Sequence, residues 1–307
     1  MGGDARVRQI LTVLVFLPLI LGGSAAAQAP TTLRGVGATY IEPHGGYSLD
    51  TALQAVGAQW WYGWRRMPGG DGVPMIWGRG DLGKPINGDA EWVMFYNEPE
   101  HPDQANVTPQ QAATDWITLL SLYPNRRYTS PGCYSVEWLQ DWLSRIVEKP
   151  DALAAHCYMT RDGAVETGCQ DHIRRFIALA EQHNIPEVWV TEFAYVPQPG
   201  EGYDAAIAWM EDITAWMDSQ PMITRYAWFQ LAYLGSEPWA WGADRNTSLV
   251  DYGTGELTVL GHAYRGEIPE PVPSPAYADP RADVTSDGVV NILDLSLVGA
   301  NFGRVVP

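Results

Sequence analysis

Phenylalanine is scarce in this chain of 307 residues: six, beside fourteen Trp and fifteen Tyr. A core built for packing alone draws more on Phe and Leu. Flat rings with a polar edge suit places where one side of the ring meets a ligand or water. Cysteine is also scarce. Cys133, Cys157 and Cys169 make an odd count, and neither their spacing nor their neighbours form a metal site. Positive charge is in short supply: 19 Lys and Arg against 36 Asp and Glu leave a net charge of −17. Such a surface repels nucleic acid and anionic membranes, which leaves neutral partners; it also simply keeps a protein soluble. No Gly-rich phosphate loop follows the first candidate strand, which counts against a doubly wound nucleotide-binding sheet. Past the N-terminal segment no stretch is apolar enough to span a membrane.

The N-terminus reads as an export signal over residues 1–27. Arg6 and Arg8 supply the positive region, Ile10 to Leu21 a short apolar run, and Ser24-Ala25-Ala26-Ala27 the small residues before a cleavage site. The mature chain is therefore expected to begin near Gln28 and to be secreted. Export permits a disulfide. Cys157 and Cys169 bracket a Gly-containing loop, and both a bridge and two buried thiols fit the sequence.

From Leu33 onward short β-prone runs alternate with helical stretches. The candidate strands are 34–40, 59–64, 74–77, 92–97, 127–130, 152–158, 187–192 and 225–230. Helical periodicity marks 109–122, with Ala113, Trp116, Ile117 and Leu120 apolar, as well as 171–183 and 204–218. Thr108 and Pro109 make a good helix start. Eight strands alternating with helices over about 230 residues match a closed (β/α)8 barrel. The second and third strands are joined by the Gly-rich loop 68–73 rather than by a clear helix.

Two of the strands deliver a glutamate at the C-terminal end: Trp92-Val93-Met94-Phe95-Tyr96-Asn97-Glu98 and Val188-Trp189-Val190-Thr191-Glu192. That end of a parallel barrel holds the catalytic groups. Two carboxylates facing one bond are the minimum needed to cut a glycosidic linkage. Asn97 beside Glu98 can donate to a sugar hydroxyl. His156 and Tyr158, two apart on a strand, share a face; so do Tyr62 and Trp64, and Trp228 and Gln230. Trp64, Trp77 and Trp228 are the candidate stacking platforms for a sugar, with core packing as the competing role for each.

The segments Trp60-Trp61-Tyr62-Gly63-Trp64, Pro74-Met75-Ile76-Trp77-Gly78, Phe95-Tyr96-Asn97-Glu98-Pro99-Glu100 and Trp189-Val190-Thr191-Glu192-Phe193-Ala194 together resemble family 128 of the glycoside hydrolases, which act on β-1,3-glucan. The resemblance covers roughly residues 33 to 265. It implies a retaining endo-β-1,3-glucanase of the (β/α)8 clan, with Glu98 as acid/base and Glu192 as nucleophile. Asn97, Tyr62, Trp64, Trp77, His156, Tyr158 and Trp228 are the candidate substrate contacts, the resemblance favouring a functional over a core role for His156 and Tyr158, and no cofactor is expected for catalysis. A relative acting on mannan or xylan, and a glucan-binding wall protein without catalysis, are the alternatives. Glu98 is expected to have a raised pKa, with the Glu192 charge as one cause.

Residues 28–266 thus form the expected catalytic domain, and the Pro-rich stretch 267–281 reads as an extended linker. Beyond it, residues 282–304 resemble one repeat of a type I dockerin. Asp283, Thr285, Asp287, Val289, Asn291 and Asp294 fall at the ligand positions of an EF-hand-type loop, with Gly288 at its sharp turn, so Ca2+ is expected there. A complete dockerin has two repeats, which leaves cohesin docking in doubt. A monomer is expected.

Overall fold

The computed structural model describes residues 32–39, 47–160, 168–198, 201–232 and 247–267. The expected signal segment, almost all of the linker and all six expected calcium ligands lie outside the described residues. No helix among the described residues is long and apolar enough to cross a membrane.

Eight parallel strands run in the order β2-β1-β8-β7-β6-β5-β4-β3. They are β1 (Leu33–Gly37), β2 (Trp60–Tyr62), β3 (Met75–Ile76), β4 (Trp92–Asn97), β5 (Arg127–Cys133), β6 (Ala152–Met159), β7 (Glu187–Tyr195) and β8 (Ile223–Phe229). A parallel bridge between Tyr62 and Val73, just before β3, brings the two ends of the sheet together. The barrel is thus nearly closed, and the expected architecture stands. Helices α1 (Leu49–Val56), α2 (Pro109–Leu122), α3 (Val136–Arg145), α4 (Cys169–His183), α5 (Asp204–Asp218) and α6 (Val259–Arg265) form the outer layer. Between β2 and β3 the Gly-rich loop replaces a helix, and after β3 there is only the 3-10 turn Arg79–Asp81.

The helix α2 begins where the sequence places it. Thr108 caps the Gln111 amide, the Gln111 side chain returns to the Thr108 amide, and Pro109 opens the first turn. Its buried face differs from the expected one. Ala112, Ala113, Asp115, Trp116 and Leu119 are buried, whereas Ile117 is exposed. The apolar stripe is rotated because a buried acid, Asp115, faces the sheet.

Apolar residues fill two regions. Outside the barrel the strands pack on the helices; inside it Trp60, Tyr62, Met75, Trp92, Met94 and Trp189 stack along the axis. These large buried side chains fill the interior, as this fold requires. Much of the tryptophan is therefore core: Trp60, Trp61, Trp92, Trp116, Trp142, Trp189 and Trp228 are all buried. Cys157 and Cys169 form a disulfide that ties β6 to the start of α4, and Cys133 is free and buried.

Candidate active site

At the C-terminal mouth of the barrel Glu98, His156 and Glu192 converge. One ligating atom from each lies within 4.8 Å of the others. Glu98 directly follows β4; Glu192 lies inside β7, which continues three residues past the expected end to Tyr195. The two glutamates are 94 residues apart in sequence, and the curl of the sheet brings them together.

His156 Nδ1 is 2.8 Å from Glu98 Oε1 and 3.5 Å from Glu192 Oε2. The imidazole is wholly buried, and Glu192 keeps only 5 % of its side-chain surface against 19 % for Glu98. Glu98 is therefore the more accessible acid and Glu192 the one held on all sides. Trp64 Nε1 donates to Glu192 Oε1 at 2.7 Å, and Tyr158 donates to Oε2. The Tyr62 hydroxyl lies 2.9 Å from the Thr191 carbonyl oxygen and 3.3 Å from Glu192 Oε1. Burial, with the Glu192 charge next, keeps both tyrosine hydroxyls far above their ordinary pKa, so they stay protonated donors.

The electrostatics of the pair reverse the sequence expectation. Burial pushes Glu98 up. The His156 hydrogen bond, the His156 charge and the His101 charge outweigh it, so the carboxyl is held below its ordinary value. Glu192 is raised: burial dominates, and the Glu98 charge adds to it against the His156 charge and the Tyr158 and Trp64 hydrogen bonds. Burial lowers His156, but the Glu192 charge and the Glu98 bond bring it to about 9. The imidazole sits against Glu98 rather than midway between the two acids, which is why Glu98 is the one drawn down.

Two glycines make room for this arrangement. A Cβ at Gly132 of β5 would lie 2.7 Å from His156 Nε2, and one at Gly37 of β1 would lie 2.5 Å from the Trp64 ring. The β4 exit is bent: Tyr96 and Glu98 have φ of 30° and 38°, values a residue with a Cβ adopts only under strain.

Of the predicted residues, Tyr62, Trp64, Glu98, His156, Tyr158 and Glu192 meet at this centre. Asn97 lies beside Glu98 and is nearly buried; its Nδ2 donates to Gln104 Oε1 at 3.1 Å and its Oδ1 has no partner among the described residues. Trp77 is half-buried on the exit of β3, where its carbonyl accepts the Asn97 amide at 2.9 Å. Trp228 is not a platform. It is fully buried in the outer layer against Phe193, Trp209 and Tyr264, and its Nε1 donates to the Thr247 carbonyl. The neighbouring residue takes the place expected for it. Phe229 is half-buried and sits 5.4 Å from the Trp64 ring and 5.6 Å from Tyr158. In a strand a slip of one position changes the face, and nothing in the run Trp228-Phe229-Gln230 said which ring was inside. Asp115 and Arg79 were also missed, since a polar residue within an apolar helix face carries no signal of its partner.

Comparison with known proteins agrees with this geometry. The model of the glycosyl hydrolase catalytic core matches residues 37–264. No curated protein sequence matches the chain significantly. Solved structures similar to it include a family 128 subgroup I endo-β-1,3-glucanase from Amycolatopsis mediterranei bound to laminaritriose. It is 24% identical, with a TM-score of 0.60 over 77% of this chain and 99% of that one. A family 128 subgroup III curdlan-specific exo-β-1,3-glucanase from Blastomyces gilchristii, bound to glucose, is 26% identical, with a TM-score of 0.57 over 76% and 97%. A subgroup II endo-β-1,3-glucanase from Sorangium cellulosum is 23% identical, with a TM-score of 0.60 over 76% and 98%. The barrel, the paired carboxylates at its mouth and a family match spanning nearly all of it lead to one conclusion: the chain belongs to the glycosyl hydrolase catalytic core family and is a glycoside hydrolase.

Proposed function

We propose that the protein is a family 128 enzyme, a retaining endo-β-1,3-glucanase in which Glu192 attacks the anomeric carbon and Glu98 serves as acid and then base. The carrying observation is the close approach of the two carboxylates, within 4.8 Å between ligating oxygens. Retaining enzymes hold the pair about 5–5.5 Å apart, whereas inverting ones need about 6.5–9.5 Å to seat a water between them. The assignment of roles follows exposure and bonding. Glu192 is fixed on both oxygens by Trp64 and Tyr158, as a nucleophile on a defined trajectory should be. Glu98, more open, faces the leaving oxygen.

The centre must hold one proton when substrate arrives. With His156 raised to about 9, that proton rests on Nδ1, against Glu98. Two carboxylates and one imidazolium carry a net charge of −1. Moving the proton to Glu98 gives the acid form with the same net charge. Glu98 then passes it to the glycosidic oxygen as Glu192 bonds to the anomeric carbon and the bond from that carbon to the glycosidic oxygen breaks. In the second half Glu98 takes a proton from water, the water oxygen bonds to the anomeric carbon, and the Glu192–sugar bond breaks, which frees the Glu192 carboxylate.

The preference for β-1,3-glucan rests on the resemblance in the motifs and on the β-1,3-glucanases among the similar structures. Endo action rests on the laminaritriose-bound relative in particular. The apparent export signal and the Cys157–Cys169 bridge support an extracellular enzyme. The tail 282–304 is read as a calcium-binding repeat independent of the barrel; calcium calorimetry on the tail, and laminarin hydrolysis after truncation at Gly266, test that separation.

Azide tests the roles. On a 2,4-dinitrophenyl β-laminaribioside, whose leaving group needs no acid, azide with Glu98→Ala should restore turnover and give a β-glycosyl azide, because azide needs no base. With Glu192→Ala it should give the α-azide. Swapped products would reverse the assignment, and no rescue in either would remove it. Laminarin digestion should release a ladder of oligosaccharides; glucose alone from the first minutes would mean exo action.

A further inference from the structure

Asp115 is a buried acid in the middle of α2, on the side of the sheet away from the catalytic centre. Asp is a poor residue inside a helix and an expensive one to bury. An apolar side chain would serve the helix–sheet contact better. Both groups that compensate Asp115 lead back to the active site. Tyr96 donates its hydroxyl to Oδ2 at 2.9 Å. Arg79 donates from Nε to Oδ2 at 2.8 Å and from Nη2 to Oδ1 at 3.3 Å.

Tyr96 is two residues before Glu98, at a break in the strand. Trp92 and Met94 point into the barrel, but Phe95 and Tyr96 both pack in the outer layer, with ring centroids 4.0 Å apart. Two consecutive side chains on one face cannot belong to a regular strand. The break coincides with the register shift against β5 between Phe95 and Asn97, and with the positive φ of Tyr96 and Glu98. A strained backbone persists only where its surroundings hold it. The Tyr96–Asp115 bond is the polar contact that draws Tyr96 outward. Arg79 lies two residues after Trp77, and the Asn97 amide is bonded to the Trp77 carbonyl. Asp115 therefore joins three segments: the exit of β3, the bent exit of β4 and the helix α2.

We propose that Asp115, through Tyr96 and Arg79, is a positioning residue that holds the bent exit of β4 so that Glu98 lies at the scissile oxygen. The proposal rests on Glu98 being the acid/base. Its signature is selective. A misplaced acid matters where the leaving group needs a proton and matters little where it does not.

Tyr96→Phe removes one hydroxyl and keeps the ring packing; Asp115→Asn keeps the shape and removes the charge. Each is assayed on a laminari-oligosaccharide and on a 2,4-dinitrophenyl β-laminaribioside, with melting temperature recorded alongside. The expected result is a fall in kcat/KM, which reports the glycosylation step, of roughly 10- to 100-fold on the oligosaccharide, the scale of an ångström-sized misplacement, with less than about threefold on the dinitrophenyl substrate, whose leaving group needs no general acid. Equal losses on both substrates, or no loss in either variant, overturn the proposal. Glu98→Gln is the reference. If its own glycosylation step shows no such split, the acid/base reading fails, and the proposal with it. If Glu98→Gln splits the substrates and the two variants do not, only the positioning role falls.

Discussion

At the N-terminal end of the barrel, Trp60, Trp92 and Trp189 pack in the interior, with Trp92 and Trp189 centroids 4.3 Å apart. Arg225 lies over Trp189 at 4.4 Å and Arg127 over Trp92 at 3.9 Å. Arg127 also pairs with Glu187 and lies within 4.0 Å of Glu91 and Asp151. At the opposite end the same materials recur. Trp64, Tyr62 and Tyr158 surround acids, but the cation between the acids is His156. A guanidinium keeps its proton at any ordinary pH, so the lower pairing is static. An imidazole can release its proton, so the charge at the mouth can move. Both ends bury aromatic rings beside carboxylates, and the choice of base distinguishes a plug from a catalytic centre.

Breaking the mouth should abolish turnover and leave folding intact. Glu98→Gln and Glu192→Gln should each lower kcat on laminarin by at least about 10²–10⁴-fold, with little change in melting temperature. Breaking the plug should do the reverse. Trp189→Ala should destabilise the fold by about 3–5 kcal/mol, read by urea denaturation, while the folded fraction keeps its kcat. A variant at either end that lost both in proportion would dissolve the contrast.

A finer break displaces the base without removing it. Gly132→Ala puts a methyl against His156 Nε2; kcat should fall by up to about 10²-fold, the effect of a small misplacement, with KM nearly constant. The pH profile sharpens the same point. His156 holds the proton up to about 9, so kcat/KM should fall above that pH, tenfold per unit, as the proton is lost. On the acid side Glu192 must be ionised, and its raised pKa places the fall above the ordinary carboxylate range. Stability of the Arg-paired plug should stay flat across the alkaline limb. The smallest effect is expected from Trp77→Ala. A single aromatic contact contributes about 0.5–1.5 kcal/mol, so KM should rise several-fold while melting changes little; a sharp drop in melting would make Trp77 core.

Strand order, the barrel, the two glutamates and the His156–Tyr158 pair were legible because each depends on short-range pattern. A β-prone run with a carboxylate at its end, or two residues of period two, needs no knowledge of neighbours. The slip from Phe229 to Trp228 shows the limit. In a barrel both faces of a strand are buried, one by the interior and one by helices, so apolar residues on either face look alike. The same ambiguity hid the buried tryptophans inside the barrel, whereas the exposure of Ile117 on α2 follows from the buried Asp115, which turns the helix's buried face.

What the sequence determined by itself was the set of elements and the chemical groups at their ends, because periodicity, capping and turn residues act within a few positions of the chain. Only the tertiary structure decided that Glu98 is the acid held down and Glu192 the one raised. That depends on a 2.8 Å contact between residues 58 apart, on the space left by Gly132 and on the burial of Glu192. All three are set by how the barrel packs side chains from β4, β5, β6 and β7, and distances across a barrel leave no trace in the spacing along one strand.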